Sequence, residues 1–116
     1  MTQLSILICL LITGPSTKVA PKIVGIWNTG TDNTKIEITE KDGVCSGKII
    51  SSDNPKAQIG KVLLKDVKSV DGEWAGKLFA PQKGEWMDAV LEAKNSLLEI
   101  TVEVGWFSKT IEWTKE

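Results

Sequence analysis

Carboxylates are the most numerous side chains in this sequence that could do chemistry, since it contains 15 Asp and Glu residues. A glycosidase needs two carboxylates held about 5–10 Å apart across a cleft. Most of those present, such as Glu37 and Glu99, alternate with apolar residues, which is typical of the solvent face of a strand. Asp88 differs because it lies between Trp86 and Val90 on one strand face. A single carboxylate is not an acid–base pair, so this pattern does not predict a glycosidase.

Cys45 is the candidate nucleophile, but the chain contains no histidine. This absence removes the usual general base near neutral pH, the usual activator of a thiol and the commonest zinc ligand. We therefore expect Cys45 to be a small buried apolar side chain. The composition permits a Ser–Lys catalytic pair, yet no motif for one is present. The sequence predicts no enzyme activity, no metal site and no cofactor.

The basic residues argue against two classes of partner. All 14 cations are lysine and the formal net charge is −1. Without arginine, bidentate recognition of guanine or phosphate by a planar guanidinium is not possible. We therefore expect neither nucleic acid nor an anionic membrane surface as a partner. The length of 116 residues predicts one domain, for which a monomer is favoured.

The five tryptophans are the best indication of binding. Trp27 and Trp113 are predicted to be core residues. Trp74, Trp86 and Trp106 could be sugar platforms on the outside or could line an apolar pocket inside. Exposure is predicted most strongly for Trp86, because the apolar residues of its strand lie on the opposite face. Trp106 precedes an aromatic residue at a corner, which suggests a contact at the rim of the fold.

The N-terminal segment reads as a signal peptide. Residues 4–12 are apolar apart from one serine, too short a run to span a bilayer but suited to a signal-peptide core. Cleavage after Ser16 fits the small-residue rule. No basic residue precedes the run, and bulky Ile8 argues against lipidation of Cys9; a buried N-terminal strand is the alternative. We expect a signal peptide and linker over residues 1–22, a single domain over 23–116, no membrane span, and a periplasmic or secreted bacterial protein.

The remaining chain predicts eight short strands with turn residues between them. Asp42-Gly43 and Asp71-Gly72 are the strongest hairpin signals. No stretch has a convincing helical period. Short connections throughout favour an all-β, eight-stranded antiparallel up-and-down barrel, which leaves no exposed sheet edge. The predicted strands are 24–28, 35–40, 44–50, 61–70, 73–80, 85–93, 96–104 and 108–115.

One internal repeat accompanies these hairpins. Asp42-Gly43-x-x-x-Gly47-Lys48 recurs as Asp71-Gly72-x-x-x-Gly76-Lys77. We interpret the second glycine of each copy as a position where the strand bends while the barrel closes. The alternative, a pair of lysines that binds an anion, lacks the other residues of a phosphate loop.

Several motifs together carry a resemblance. In order they are Gly25-Ile26-Trp27, Gly47-Lys48-Ile49, 60–66 (Gly-Lys-Val-Leu-Leu-Lys-Asp), 74–81 (Trp-x-Gly-Lys-Leu-x-x-Pro) and the C-terminal 110–115 (Thr-Ile-Glu-Trp-Thr-Lys). They resemble a family of small exported bacterial proteins with a lipocalin-like (calycin) barrel and no established function. The resemblance spans nearly the whole chain after the signal peptide. The sequence departs from the family pattern at two positions: Trp86 stands where the family has a tyrosine, and Lys115 stands where it has an arginine.

The resemblance implies an eight-stranded calycin barrel, an envelope or secreted location, and no catalytic residues. It also implies that Trp27 plugs the closed end of the barrel with Trp113 and Lys115 beside it, the lysine making a cation–π contact.

We expect such a barrel to bind or carry a small apolar or amphipathic ligand. A structural or interaction barrel with a filled interior and a carbohydrate- or peptidoglycan-binding module are the alternatives. The predicted ligand-binding residues are Ile36, Ile38, Trp74, Trp86, Met87, Leu91, Leu98, Ile100, Val102 and Trp106.

Overall fold

The protein is an eight-stranded antiparallel β-barrel, as the sequence predicts. A computed structural model describes residues 22–81 and 83–116. Each strand pairs with the next along the chain, and β8 returns to β1 and closes the barrel. All eight predicted strands are confirmed to within one residue at each end. They are β1 Gly25–Asn28, β2 Lys35–Lys41, β3 Val44–Ser51, β4 Val62–Val70, β5 Glu73–Ala80, β6 Glu85–Lys94, β7 Leu97–Val104 and β8 Phe107–Lys115.

The predicted hairpin turns form because their residues tolerate positive φ. Asp42 and Gly43 have φ of 53° and 81°, and Asp71 and Gly72 have 55° and 84°. Two central residues with positive φ define the type I′ turn, whose twist matches that of the flanking strands. These turns set the register in which β2 pairs with β3 and β4 with β5.

The strand connections divide the barrel into two ends. One end carries the turns 42–43, 71–72 and 95–96 and the start of β1, and we call it the closed end. The other carries the connections 29–34, 52–61, 81–84 and 105–106, and we call it the open end. Closure between β8 and β1 rests on two residue pairs, Trp27 with Lys115 and Asn28 with Thr114.

The core follows the period-two pattern of the strands. In β7, Leu98, Ile100 and Val102 are buried, while Glu99 and Thr101 between them are half-exposed. The predicted inward set of β6 is confirmed at Ala89 and Leu91, which are buried beside Gly76 and Trp74 of β5. Alternation therefore places one apolar face of every strand inside the barrel.

The repeated glycines lie where the sheet is irregular, which supports their predicted role in bending. A Cβ on Gly76 would lie 2.6 Å from Val67 Cγ2 and 2.8 Å from the Lys65 carbonyl oxygen. A Cβ on Gly47 would lie 3.0 Å from Ile36 Cγ2. Beside Gly76, the pairing of β4 with β5 shifts between Lys65 and Lys68. Each glycine thus allows a close approach that a side chain would prevent.

The predicted signal peptide and Cys9 lie outside the described residues. Along residues 22–81 and 83–116, the chain contains no helix of the length and hydropathy required to cross a membrane.

Candidate functional site

Trp27, the third of the four residues of β1, occupies the barrel interior, and the predicted contact with Lys115 is confirmed. The Lys115 ammonium lies 5.1 Å from the centroid of the Trp27 ring. Trp27 Nε1 donates a hydrogen bond of 2.9 Å to the carbonyl oxygen of Ile23, so its polar atom is satisfied. Trp113 is buried in the same cluster. These contacts give Trp27 a structural role.

Gly25 is required for that arrangement. Its φ of +145° lies in a region that favours glycine, and a Cβ there would lie 2.5 Å from Lys115 Nζ. The motif Gly25-Ile26-Trp27 therefore gives the lysine access to the ring two residues further on. The Lys115 ammonium also lies 3.5 Å from the carbonyl oxygen of Val24.

Four of the predicted ligand-binding residues lie in a filled part of the interior. Ile36, Ile38, Leu98 and Ile100 have no surface accessible to water. A side chain without accessible surface borders no void large enough for a water molecule, so these four contact only other protein atoms. At their positions the barrel interior is a packed core.

The packing loosens along β5, β6 and β7 toward the open end. Leu91 and Ala89 are buried, whereas Met87, nearer the open end of the same strand, is half-buried. Val102 is buried and Val104 beyond it is half-buried. Leu78, opposite Met87, is also half-buried. Toward the open end of β6 and β7, the predicted ligand-binding residues in the interior are therefore Met87 and Val102.

A groove of about 380 Å³ opens between the connections 29–34 and 52–61. Hydrogen bonds hold these two connections together. The Asp53 amide donates to the Asp32 carbonyl at 2.8 Å, and the Thr34 and Ser52 hydroxyls lie 2.7 Å apart. Asn54 Nδ2 donates to the Asp32 carboxylate at 3.3 Å. The groove is thus built by internal bonds that need no ligand to form.

The groove has an apolar and a polar side. Ile49, Leu63 and Pro81 provide apolar surface. Lys56 and Lys61 both line the groove, against one acidic residue, Asp32. Because the Asp32 carboxylate already accepts a bond from a neighbouring amide, the lining favours an anion over a cation.

A pair of aromatic rings lies on the outer face next to this groove. Phe79 and Trp86 are opposite each other in β5 and β6, with centroids 5.3 Å apart in an edge-to-face arrangement. Lys61 covers the Phe79 ring at 4.4 Å, and Lys65 covers the Trp86 ring at 4.2 Å. A sugar could stack on Trp86 only after the Lys65 side chain moves.

The tryptophans differ in exposure from what the sequence predicts. Trp86 faces outward as predicted, but it is less exposed than expected. It is half-buried because Lys65 and Phe79 cover it, whereas Trp106 at the β7–β8 turn is 94% exposed. Trp74 is buried and, with Leu91, lines a small cavity of about 150 Å³ near the β4–β5 turn.

The side chains considered for catalysis are in unreactive surroundings. Cys45 is fully buried, and burial, followed by the nearby charge of Glu40, raises the pKa of its thiol. A raised pKa lowers the fraction of nucleophilic thiolate at neutral pH. Asp88 lies on the outer face in an ion pair with Lys77. This pairing gives the Asp88 carboxylate a structural partner across the two strands.

Sequence reasoning missed the groove. Its polar residues lie in the two connections, which have no periodic pattern to interpret. The available signal was the length of the 52–61 connection, the longest between strands, since binding residues are often found on loops held by a rigid scaffold.

Together, fold and groove define the class of protein as a small all-β barrel with a polar-lined groove at one end. Comparisons with protein-family models, curated proteins and solved structures give no match. The resemblance to the exported lipocalin-like family therefore stays a prediction.

Proposed function

We propose that this chain is a lipocalin-like binding barrel, without catalytic activity, that holds a small amphipathic anion in the groove at its open end. The groove between the connections 29–34 and 52–61 carries this proposal. Its volume of about 380 Å³ falls in the range of small-molecule sites, about 300–1,000 Å³. A location in the bacterial envelope belongs to the same proposal and rests on the predicted signal peptide and the resemblance.

The lining supports a ligand with one apolar and one anionic part. Ile49, Leu63 and Pro81 offer contact surface to an apolar chain or ring. Lys56 and Lys61 offer ammonium groups to a carboxylate, sulfate or phosphate. Lys61 is restrained because its ammonium also covers the Phe79 ring, so less side-chain entropy is lost on binding.

The packed interior supports placing the ligand in the groove instead of among the strands. Ile36, Ile38, Leu98 and Ile100 have no accessible surface, so a ligand at their positions would have to displace core side chains. The proposal thus combines the filled interior of the structural alternative with a binding site on the loops.

The test is a calorimetric titration of the full chain with sodium dodecanoate, below the concentration at which it forms micelles. Ala57 is half-buried and lines the groove, so Ala57→Trp fills the space. We expect Ala57→Trp to abolish measurable binding while the melting temperature stays unchanged. Lys68→Trp is the matched control. Lys68 is exposed on β4, so this substitution adds the same side chain away from the groove.

Charge is tested separately by Lys56→Glu, with Lys68→Glu as its control. Since exposed ion pairs contribute up to about 1 kcal/mol, Lys56→Glu should weaken dodecanoate binding about fivefold and Lys68→Glu should not. If Ala57→Trp binds dodecanoate as tightly as the unmodified chain, the ligand lies elsewhere and the proposal fails.

A further inference from the structure

Large apolar side chains are exposed at the tips of two connections of the open end. Trp106 is 94% exposed and Phe107 is 51% exposed at the β7–β8 turn. Ile59 is 62% exposed in the β3–β4 connection. We infer that the open end of the barrel docks on the interface of a lipid bilayer, with these side chains inserted among the headgroups.

The order of the strands explains why a flat surface fits these tips. In a closed eight-stranded barrel, the β3–β4 and β7–β8 connections are separated by four strands, and so lie on opposite sides of the open end. A bilayer surface touches both tips and covers the groove, which gives an amphipathic ligand a direct path from the bilayer.

Trp106 and Phe107 are held at the tip by the backbone. Val104 pairs with Phe107, so Gly105 and Trp106 form a tight turn, and Gly105 has a φ of 64°. The two rings contact each other edge to face, with centroids 5.5 Å apart. Tryptophan is enriched at membrane interfaces because its ring has an apolar body and a polar N–H group.

The charge of the chain decides the kind of bilayer contact. Exposed lysines of this end, such as Lys56 and Lys83, are accompanied by the exposed carboxylates of Asp53 and Glu85. The formal net charge of −1 offers no long-range attraction to anionic lipids. Insertion of apolar side chains therefore contributes most of the free energy of bilayer binding, and this binding should depend little on salt or on anionic lipid.

Ile59 favours a lipid surface over a glycan. An aliphatic side chain has no flat face on which a sugar ring can stack, but it is readily accommodated among lipid chains. Trp106 also packs edge-on against Phe107 instead of forming a broad platform.

The experiment is flotation of the full chain with phosphatidylcholine vesicles, together with tryptophan fluorescence. We expect the full chain to float with the vesicles equally at 0.1 and about 1 M NaCl, conditions that differ about threefold in Debye length. Its emission should shift to shorter wavelength. Trp106→Ser should lose the shift and bind about tenfold more weakly, as expected for removing one large buried apolar side chain.

Val70→Ser is the matched control. Val70 is 56% exposed at the end of β4, on the closed end, so replacing it should leave vesicle binding unchanged. Trp106→Ser leaves the groove residues intact and should bind dodecanoate like the unmodified chain. Failure of the bilayer contact is therefore distinguishable from failure of the groove.

Several results would overturn the inference. The inference fails if the full chain does not float with the vesicles, if Trp106→Ser floats as well as the unmodified chain, or if flotation is lost at high salt. It also fails if the chain self-associates in gel filtration through Trp106, because a second copy would then cover this surface. Polysaccharide binding that is lost in Trp106→Ser while flotation is retained would assign the tip to a glycan instead.

Discussion

The interior and the open end of this barrel use the same kinds of side chain for opposite purposes. Trp27, inside the barrel, is buried, donates its N–H group to a carbonyl oxygen and is covered by Lys115. Trp106, at the open end, is exposed on a tight turn. One tryptophan fills the barrel and the other projects from it. Residue type alone therefore assigns neither role, and the position of each tryptophan in the barrel decides it.

The lysines show the same contrast. Lys115 contributes to the core by covering an indole ring, in a space that Gly25 keeps free. Lys61 also covers an aromatic ring, that of Phe79, but borders the groove as well. A lysine over an aromatic ring can therefore stabilise the fold and still be available to an anion when its surroundings are open.

The largest effect on the stability of the fold is expected from Trp27→Ala. It removes a buried ring, a hydrogen bond and a cation–π contact, and should destabilise the fold by about 3–5 kcal/mol. Trp106→Ala removes the same side chain from the open end and should change stability by no more than about 0.5 kcal/mol. Urea unfolding followed by circular dichroism measures both. Equal losses of stability would contradict this contrast between the interior and the open end.

A smaller effect is expected from adding a methyl group to the repeated glycines. Gly76→Ala places a Cβ against backbone atoms that cannot move away and should cost about 1–3 kcal/mol. Gly47→Ala meets side-chain atoms at 3.0 Å or more, which can shift, and should cost less. Thermal unfolding ranks the two variants. A larger loss for Gly47→Ala would show that the barrel does not need the close approach of β4 to Gly76.

The smallest effect concerns the seam between β8 and the first two strands. Asn28 donates a hydrogen bond to the Glu116 carboxylate and Lys35 pairs with it, and in that order they lower the pKa of Glu116 below its ordinary 4.5. A lowered pKa in the folded state means that the ionised form stabilises the fold above about pH 4.5 and that this contribution disappears as the pH falls through the folded pKa.

Glu116→Gln should therefore lower the melting temperature slightly at pH 6 and leave it unchanged at pH 2. Glu103→Gln, at an exposed position of β7, is the control for losing one carboxylate. A destabilisation by Glu116→Gln that grows as the pH falls has the wrong sign and would rule out this role at the seam.

Most of the fold could be predicted because each strand carries its own signals. The Asp-Gly turns require positive φ, and the alternation in β7 identifies its inner face, so both are local properties of the sequence. Trp27 and Lys115 are 88 positions apart along the chain, and their contact was predicted only through the resemblance.

The candidate site was less predictable for physical reasons. In β4, Asp66 adopts a φ of 53° and the pairing shifts beside it, which a regular alternation cannot anticipate. The exposure of Trp86 depends on where the Lys65 side chain lies, a property of neighbouring strands. The groove depends on hydrogen bonds between two connections that lack any period.

A nitrogen–proton correlation spectrum of the chain, recorded during titration with dodecanoate, locates the bound ligand. A filled interior with ligand binding at the open end gives a specific pattern of shifts. The backbone signals of residues 31–34 and 52–61 should shift, while the indole signals of Trp27 and Trp113 stay in place. Shifts concentrated at Ile38, Leu98 and Ile100, with the signals of the two connections unchanged, would place the ligand inside the barrel and contradict the account.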